Sequence, residues 1–124
     1  MHTLSQRTLD EPAQHGNESL SSILLEKGIN SFIRSVDAFN ASNDRGRTES
    51  VLIFLNHSLE MLIKASVSLR GDEIVDRSTG KTTGFDHCLN KALNGGKEPL
   101  ISEEQAAIIR IVNALRDPAQ HYFV

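Results

Sequence analysis

Apolar residues recur at helical spacing along four segments separated by polar turns, which predicts an all-α protein. The first predicted helix has Ser19 as its N-cap and runs to about Asn40. Polar residues 1–18 before it are expected to form a flexible N-terminal tail. The core face of this helix is predicted to consist of its large apolar residues, Leu20, Ile23, Leu24, Phe32, Ile33, Val36 and Phe39.

The second predicted helix, about Thr48 to Leu69, is apolar on nearly all sides. Such a helix is either central in its domain or shared with a second subunit. Its polar residues Asn56, Glu60 and Lys64 follow one another at four-residue spacing, with His57 alongside. They therefore lie on one narrow strip of the helix.

Two shorter helices complete the predicted bundle. Residues 70–84 are expected to form a loop, with a small hairpin around residues 78–81 as one interpretation. A helix over 85–94 follows and ends at Gly95. The last helix starts at a capping box, with Ser102 as N-cap and Gln105 at its third position. Its predicted core face consists of Ile108, Ile111, Val112 and Leu115.

Pro118 interrupts the last helix, since proline lacks an amide hydrogen and clashes with the carbonyl four residues earlier. We therefore expect the helix to kink or restart near Arg116–Asp117. Taken together, the pattern predicts a flexible tail over residues 1–18 and a compact four-helix bundle over residues 19–124.

The net charge, the cysteine count and the lengths of the apolar runs exclude only a few functions. The formal net charge of -3 argues against a fold that attracts nucleic acid through its overall field, so contact with RNA would need a local basic patch. The single cysteine, Cys88, excludes an internal disulfide and fits a reducing cytosol. A polar N-terminus and the lack of an uninterrupted apolar run of about 20 residues favour a cytoplasmic protein without a membrane span.

The strongest candidate for chemistry is the segment from Arg116 to His121. In a straight helix these two residues would lie about 140° apart, but a bend at Pro118 can bring them onto one concave surface. Arginine binds phosphodiesters, and histidine exchanges protons near neutral pH. Asp117 could orient one of them. The alternative is that Asp117-Pro118 only restarts a helix, with two surface residues on either side.

The other candidate site residues each have a simpler structural explanation. Glu60 and Lys64 are more simply explained as an exposed ion pair than as an active site. Asn56 and His57 could face a substrate, although satisfied polar residues within a packed helix are the simpler explanation. The segment Gly80-Lys81-Thr82 is not a phosphate loop, because Val75 occupies the position of the first glycine. His87 beside Cys88 makes a poor chelate, so no metal or other cofactor is expected.

Three segments together resemble the HEPN superfamily. Arg116-Asp117-Pro118-Ala119-Gln120-His121 resembles its Arg-x4-His motif near the end of a helical bundle. The stretch 59–65, with Glu60 and Lys64, is similar to the Glu-x3-Lys-Ala stretch of the second helix. The stretch 84–93 is similar to the opening of the third helix, except that here His87 follows Asp86. The resemblance covers about residues 19–123.

The resemblance implies a metal-independent RNA endonuclease in a bacterial toxin or phage-defence role, with Arg116 and His121 as catalytic residues and Asp117 in support. It also implies a homodimer whose active site forms where two domains meet. Glu60, Lys64 and Asn56 would then contribute to binding. The alternative function is a non-catalytic module for dimerisation or for binding RNA, a nucleotide or a protein. An antitoxin and a further domain of a longer chain are additional candidate partners.

Overall fold

The structure is a computed structural model, and it confirms an all-α helical bundle. It describes residues 12–42 and 45–122, with side chains described for residues 20–42 and 45–116. The four helices are α1 (Pro12–Phe39), α2 (Arg47–Leu69), α3 (Phe85–Asn94) and α4 (Glu103–Tyr122). Within the described ranges the only β-structure is an isolated antiparallel bridge between Val75 and Thr82.

Helix α2 is the centre of the fold, in agreement with its apolar sequence. It contacts α1, α3 and α4, whereas α1 contacts α2 and no other helix within the described ranges. Buried residues from all four helices and from the loop before α3 surround α2 in one cluster. The members of this core are Leu24, Met61, Ile63, Ala65, Val67, Ile74, Cys88, Leu89, Ala92, Ala106 and Ile109.

Helix α1 begins earlier than predicted, at Pro12 rather than at Ser19. Proline is favoured in the first turn of a helix, because its missing amide hydrogen is not needed there and its φ angle already suits the helix. Residues 12–18 of the expected tail are therefore helical, and residues 1–11 lie outside the described part of the chain.

The inward face of α1 differs from the predicted one. Its buried positions are mostly small residues, namely Ser21, Gly28, Ser31 and Ser35, together with Leu24. The predicted core residues are largely half-exposed, because small residues let α1 approach α2 closely enough to leave the large side chains outside. The large apolar residues with about 40% or more of their surface exposed are Ile23, Leu25, Ile29, Phe32, Ile33, Val36 and Phe39.

The loop between α2 and α3 forms the expected small hairpin. The amide of Asp76 donates to the carbonyl of Lys81 at 2.8 Å, and the amide of Gly80 donates back to the carbonyl of Asp76 at 2.7 Å. Gly80 has a φ of 73°, a left-handed conformation that glycine adopts without strain. The carboxylate of Asp76 accepts hydrogen bonds from the hydroxyl and amide of Ser78, and these bonds lower the pKa of Asp76.

Helix α4 begins with the predicted capping box. The amide of Gln105 donates to Ser102 Oγ at 3.0 Å, and the amide of Ser102 donates to Gln105 Oε1 at 2.9 Å. The predicted core face was wrong, however. Ala106 and Ile109 are buried, whereas 50–60% of the surface of each of the predicted core residues Ile108, Ile111 and Leu115 is exposed.

The backbone of α4 remains helical through Pro118 to Tyr122, so the helix does not restart at Arg116–Asp117. The missing hydrogen bond at Pro118 is thus accommodated within one helix. The C-terminal motif is carried on the last turns of α4, and Arg116 is its last residue with a described side chain.

By length and composition alone, α2 could cross a membrane. In the most apolar 18-residue stretch of α2, 33% is buried inside the protein. The central helix of a soluble protein passes the same test, so this property does not establish a membrane location.

Candidate functional site

A cleft of about 270 Å³ lies between α1, α2 and α4. Each of these helices contributes polar or charged side chains to its wall, and α2 supplies half of them. The lining residues are Ser31, Arg34, Ile53, Phe54, Asn56, His57, Glu60 and Arg116.

The helical spacing of these residues explains why they meet. Residues 53, 56, 57 and 60 of α2 follow at intervals of three, one and three, which places them on one face of the helix. Ser31 and Arg34 are three residues apart on α1 and occupy one side of that helix. Arg116, the last residue of α4 with a described side chain, lines the same cleft.

Two guanidinium groups give this cleft a local positive charge within an acidic protein. Arg34 and Arg116 both line it, while Glu60 contributes a carboxylate that is already paired with Lys64. The guanidinium of Arg34 lies over the ring of Phe54, 6.0 Å from its centroid. This cation–π contact holds the charged end of Arg34 against the cleft wall. The cleft is therefore suited to an anion.

Asn56 is the most unusual residue of the cleft. Only 2% of its surface is exposed, and its Oδ1 atom has no hydrogen-bond partner among the described residues. Leaving a buried polar atom unsatisfied costs about 1–3 kcal/mol, so native structures seldom retain one without a function. Asn56 also lines the cleft, so its unsatisfied amide belongs to the same wall as the two arginines.

The predicted ion pair of Glu60 and Lys64 is confirmed, but the expectation that it is exposed was wrong. Lys64 is 4% exposed, and its ammonium donates to Glu60 Oε2 at 2.7 Å and to Thr82 Oγ1 at 2.9 Å. The hairpin that contains Thr82 folds over α2 and covers the lysine, which the helical spacing of the pair could not reveal. Glu60 reaches the cleft, while Lys64 is not among the lining residues.

The predicted site residues are thus brought together only in part. The cleft contains Arg116, Asn56 and Glu60. The side chains of Asp117 and His121 lie outside the described residues, so their position relative to Arg116 is not tested.

Of the residues with ionisable side chains that line the cleft, two were not among the predicted site residues. His57 carried a signal, since it adjoins the polar strip of α2, and it was considered with Asn56 as a possible substrate contact. Arg34 carried no signal, because its proximity to Arg116 arises only from the packing of α1 and α4 on α2.

The remaining sequence candidates lie apart from the cleft. His87 is exposed on α3, while Cys88 is fully buried with its Sγ 3.1 Å from Thr83 Oγ1. Among residues with described side chains, no group of three or more His, Cys, Asp or Glu could hold a metal ion.

Comparison with known proteins gives no match: no family model, no curated protein and no solved structure is detectably similar to this chain. The resemblance of its motifs to HEPN domains therefore stays a prediction, and the argument for function depends on the cleft itself.

Proposed function

We propose that the protein is a metal-independent RNA endonuclease that binds the phosphodiester of its substrate in the cleft between α1, α2 and α4. The observation that carries this proposal is that Arg34 and Arg116 line the same cleft as His57 and Glu60. Two fixed positive charges and two proton-exchanging side chains are the groups that cleavage of RNA without a metal requires.

The reaction follows from these groups. A base removes the proton of the ribose 2′-hydroxyl, whose oxygen attacks the adjacent phosphorus. The bond from phosphorus to the 5′-oxygen breaks, and an acid protonates that oxygen as it leaves. The products are a 2′,3′-cyclic phosphate and a 5′-hydroxyl. Arg34 and Arg116 neutralise the negative charge that grows on the phosphate oxygens during the attack.

His57 is the cleft residue best suited to proton transfer, since one imidazole ring can both accept and donate a proton. In the HEPN interpretation His121 has this role, with Asp117 in support, and either histidine could serve together with the same two arginines. A role in bacterial toxin or defence systems belongs to the same proposal, as do an antitoxin partner and a cytoplasmic location.

The test is to incubate the full chain with mixed-sequence single-stranded RNA in excess EDTA. We expect cleavage that leaves 2′,3′-cyclic phosphate ends, and no cleavage of DNA of the same sequence, which lacks the attacking hydroxyl. Loss of a proton-transfer group typically slows a reaction about 10²–10⁴-fold. Arg116→Met and either His57→Ala or His121→Ala should therefore lower kcat by about 100-fold or more.

His87→Ala is the matched control, because His87 is an exposed histidine on α3 outside the cleft. It should cleave as fast as the parent protein. If the parent protein leaves RNA intact, or if Arg116→Met cleaves as fast as it, the enzyme proposal is wrong.

A non-catalytic RNA- or nucleotide-binding module is the second candidate. It is favoured by the 2.7 Å pairing of Glu60 with Lys64, because the ammonium of Lys64 occupies one of the two carboxylate oxygens that a general base would offer to the substrate. In this case the same RNA would bind without being cut, and Arg34→Met and Arg116→Met would each weaken binding.

A further inference from the structure

Helix α1 carries a continuous apolar stripe that no other described part of the chain covers. The stripe residues lie at positions 25, 29, 32, 36 and 39, so the intervals between them are four, three, four and three residues. Between 40% and 65% of the surface of each one is exposed. This is the spacing of a heptad seam, in which each side chain enters a hole formed by a facing helix. The stripe consists of Leu25, Ile29, Phe32, Val36 and Phe39.

The stripe continues into a neighbouring apolar groove. Leu25 lines this groove together with Leu62, Ala65 and Leu69 of α2, in a volume of about 440 Å³. Leu69 is 75% exposed, more than any other large apolar residue of the described chain. The stripe and the groove together form one surface along the α1–α2 hairpin, which we call the outer face.

The outer face lies on the opposite side of α1 from the cleft. At 100° per residue, Arg34 is about 160° from both Phe32 and Val36. The charged residues Glu26, Lys27, Arg34 and Asp37 all lie outside the angular range of the stripe. A partner on the outer face would therefore meet an uncharged surface and would leave the cleft open.

The size of the outer face matches an interface between two proteins. If half of roughly 150–200 Å² is exposed for each large side chain, the five stripe residues and Leu69 expose roughly 500 Å². That is towards the upper end of apolar patches on monomers, and it is more than half of the ~800 Å² that each partner buries in a standard interface. A heptad seam needs a facing helix with a matching seam, and a second copy of α1 provides one.

We infer that a second copy of this chain covers the outer face, forming a two-fold dimer in which α1 packs against α1 of the partner and the two clefts stay separate. This arrangement differs from a dimer whose single active site lies at the interface. It does not depend on the proposed function, because the stripe, the groove and the separation from the cleft are independent of what the cleft binds.

The test measures the mass of the full chain by light scattering and sedimentation between about 1 and 100 µM, in the absence of RNA. The parent protein should be a dimer at the upper end of this range. Ile29→Glu places a charge in the seam and should raise the dimer Kd by roughly 30-fold or more, the effect of losing an interface hot spot.

Ile23→Glu is the matched control. Ile23 is 50% exposed and Ile29 is 47% exposed, but Ile23 lies about 120° away on the helix surface. The control should dimerise like the parent protein, and so should Arg34→Met on the cleft side. If Ile29→Glu has lost helix content by circular dichroism, Val36→Lys takes its place.

Three results would overturn the inference. The first is a parent protein that stays monomeric up to 100 µM. The second is a dimer that Ile23→Glu or Arg34→Met weakens as much as Ile29→Glu does. The third is a monomer that floats with vesicles of phosphatidylcholine and phosphatidylglycerol, since the outer face would then contact lipid.

Discussion

The hydroxyl of Ser58 on α2 donates a hydrogen bond to the backbone carbonyl of Gly28 on α1, with an oxygen–oxygen distance of 2.7 Å. Side chain and backbone can come this close only because position 28 has no Cβ. A Cβ built there would lie 2.8 Å from Cγ and Cδ2 of Leu62 and 3.3 Å from the carbonyl oxygen of Ser58. Gly28 thus sets the separation of the two helices that carry the cleft and the outer face.

Gly28→Ala should therefore destabilise the protein although alanine is the better helix former. The propensity gain is about 1 kcal/mol, while forcing an extra carbon into a packed interface costs about 1–3 kcal/mol. We expect the free energy of unfolding in urea to fall by about 1 kcal/mol. Adding Leu62→Ala removes the atoms in conflict, so in a double-mutant cycle the two changes should couple favourably. A more stable Gly28→Ala protein would contradict this explanation.

Lys64 should contribute to stability as a buried group rather than as a surface charge. Lys64→Met removes the bonds to Glu60 and Thr82, and it leaves the carboxylate of Glu60 without its partner. Since the Glu60 side chain is 25% exposed, water relieves part of the penalty, and we expect a loss of about 2 kcal/mol in urea unfolding. The control Lys81→Met, on the exposed part of the same loop, should change stability by less than about 0.5 kcal/mol. Equal effects of the two substitutions would show that burial of Lys64 is unimportant.

The sequence predicted the elements of the fold because their signals are local. The bounds of α3 and the capping box of Ser102 and Gln105 depend only on neighbouring residues, and both are confirmed. The choice of which face is buried is not local. Ile108 was placed in the core by its helical spacing, yet Ala106 and Ile109 are buried instead, because the packing of α4 on α2 decides which face of α4 is covered.

The candidate site was predicted in part for the same reason. Asn56 and Glu60 share a strip of one helix, so their spacing alone brings them together. Arg34 and Arg116 are distant in sequence and line one cleft only because α1 and α4 both pack on α2, and no pattern within either helix predicts this arrangement. The buried state of Lys64 likewise depends on where a distant hairpin lies.

The hairpin loop should keep its Asp76 carboxylate charged to unusually low pH. The hydroxyl of Ser78 is the largest cause of the lowered pKa of Asp76, followed by the amide of the same residue. A depressed pKa in the folded state stabilises the fold above the unfolded pKa of about 4, and this contribution is lost as the pH falls through the folded value. In a carbon-detected NMR titration, Ser78→Ala should raise the pKa of Asp76 towards its ordinary value.

Thr79→Ala provides the comparison for this titration, because the hydroxyl of Thr79 accepts a hydrogen bond from the amide of Lys81 and makes no bond to Asp76. It should leave the pKa of Asp76 low. If the pKa of Asp76 is unchanged in Ser78→Ala, the hydroxyl of Ser78 does not stabilise the charged carboxylate.

We expect that Asn56 lowers the stability of the free protein and raises its affinity for RNA. Its buried Oδ1 lacks a partner among the residues whose side chains are described, so Asn56→Leu, which keeps the branching of the side chain, should raise the free energy of unfolding by about 1 kcal/mol. The same change should weaken binding of single-stranded RNA by roughly tenfold, because the ligand loses a hydrogen bond worth about 1.5 kcal/mol. Ser58→Ala is the control on the same helix: its hydroxyl is satisfied by Gly28, so its loss should destabilise the protein and leave RNA binding unchanged. An Asn56→Leu protein that is less stable than the parent, or that binds RNA equally well, would show that this amide is not held for a ligand.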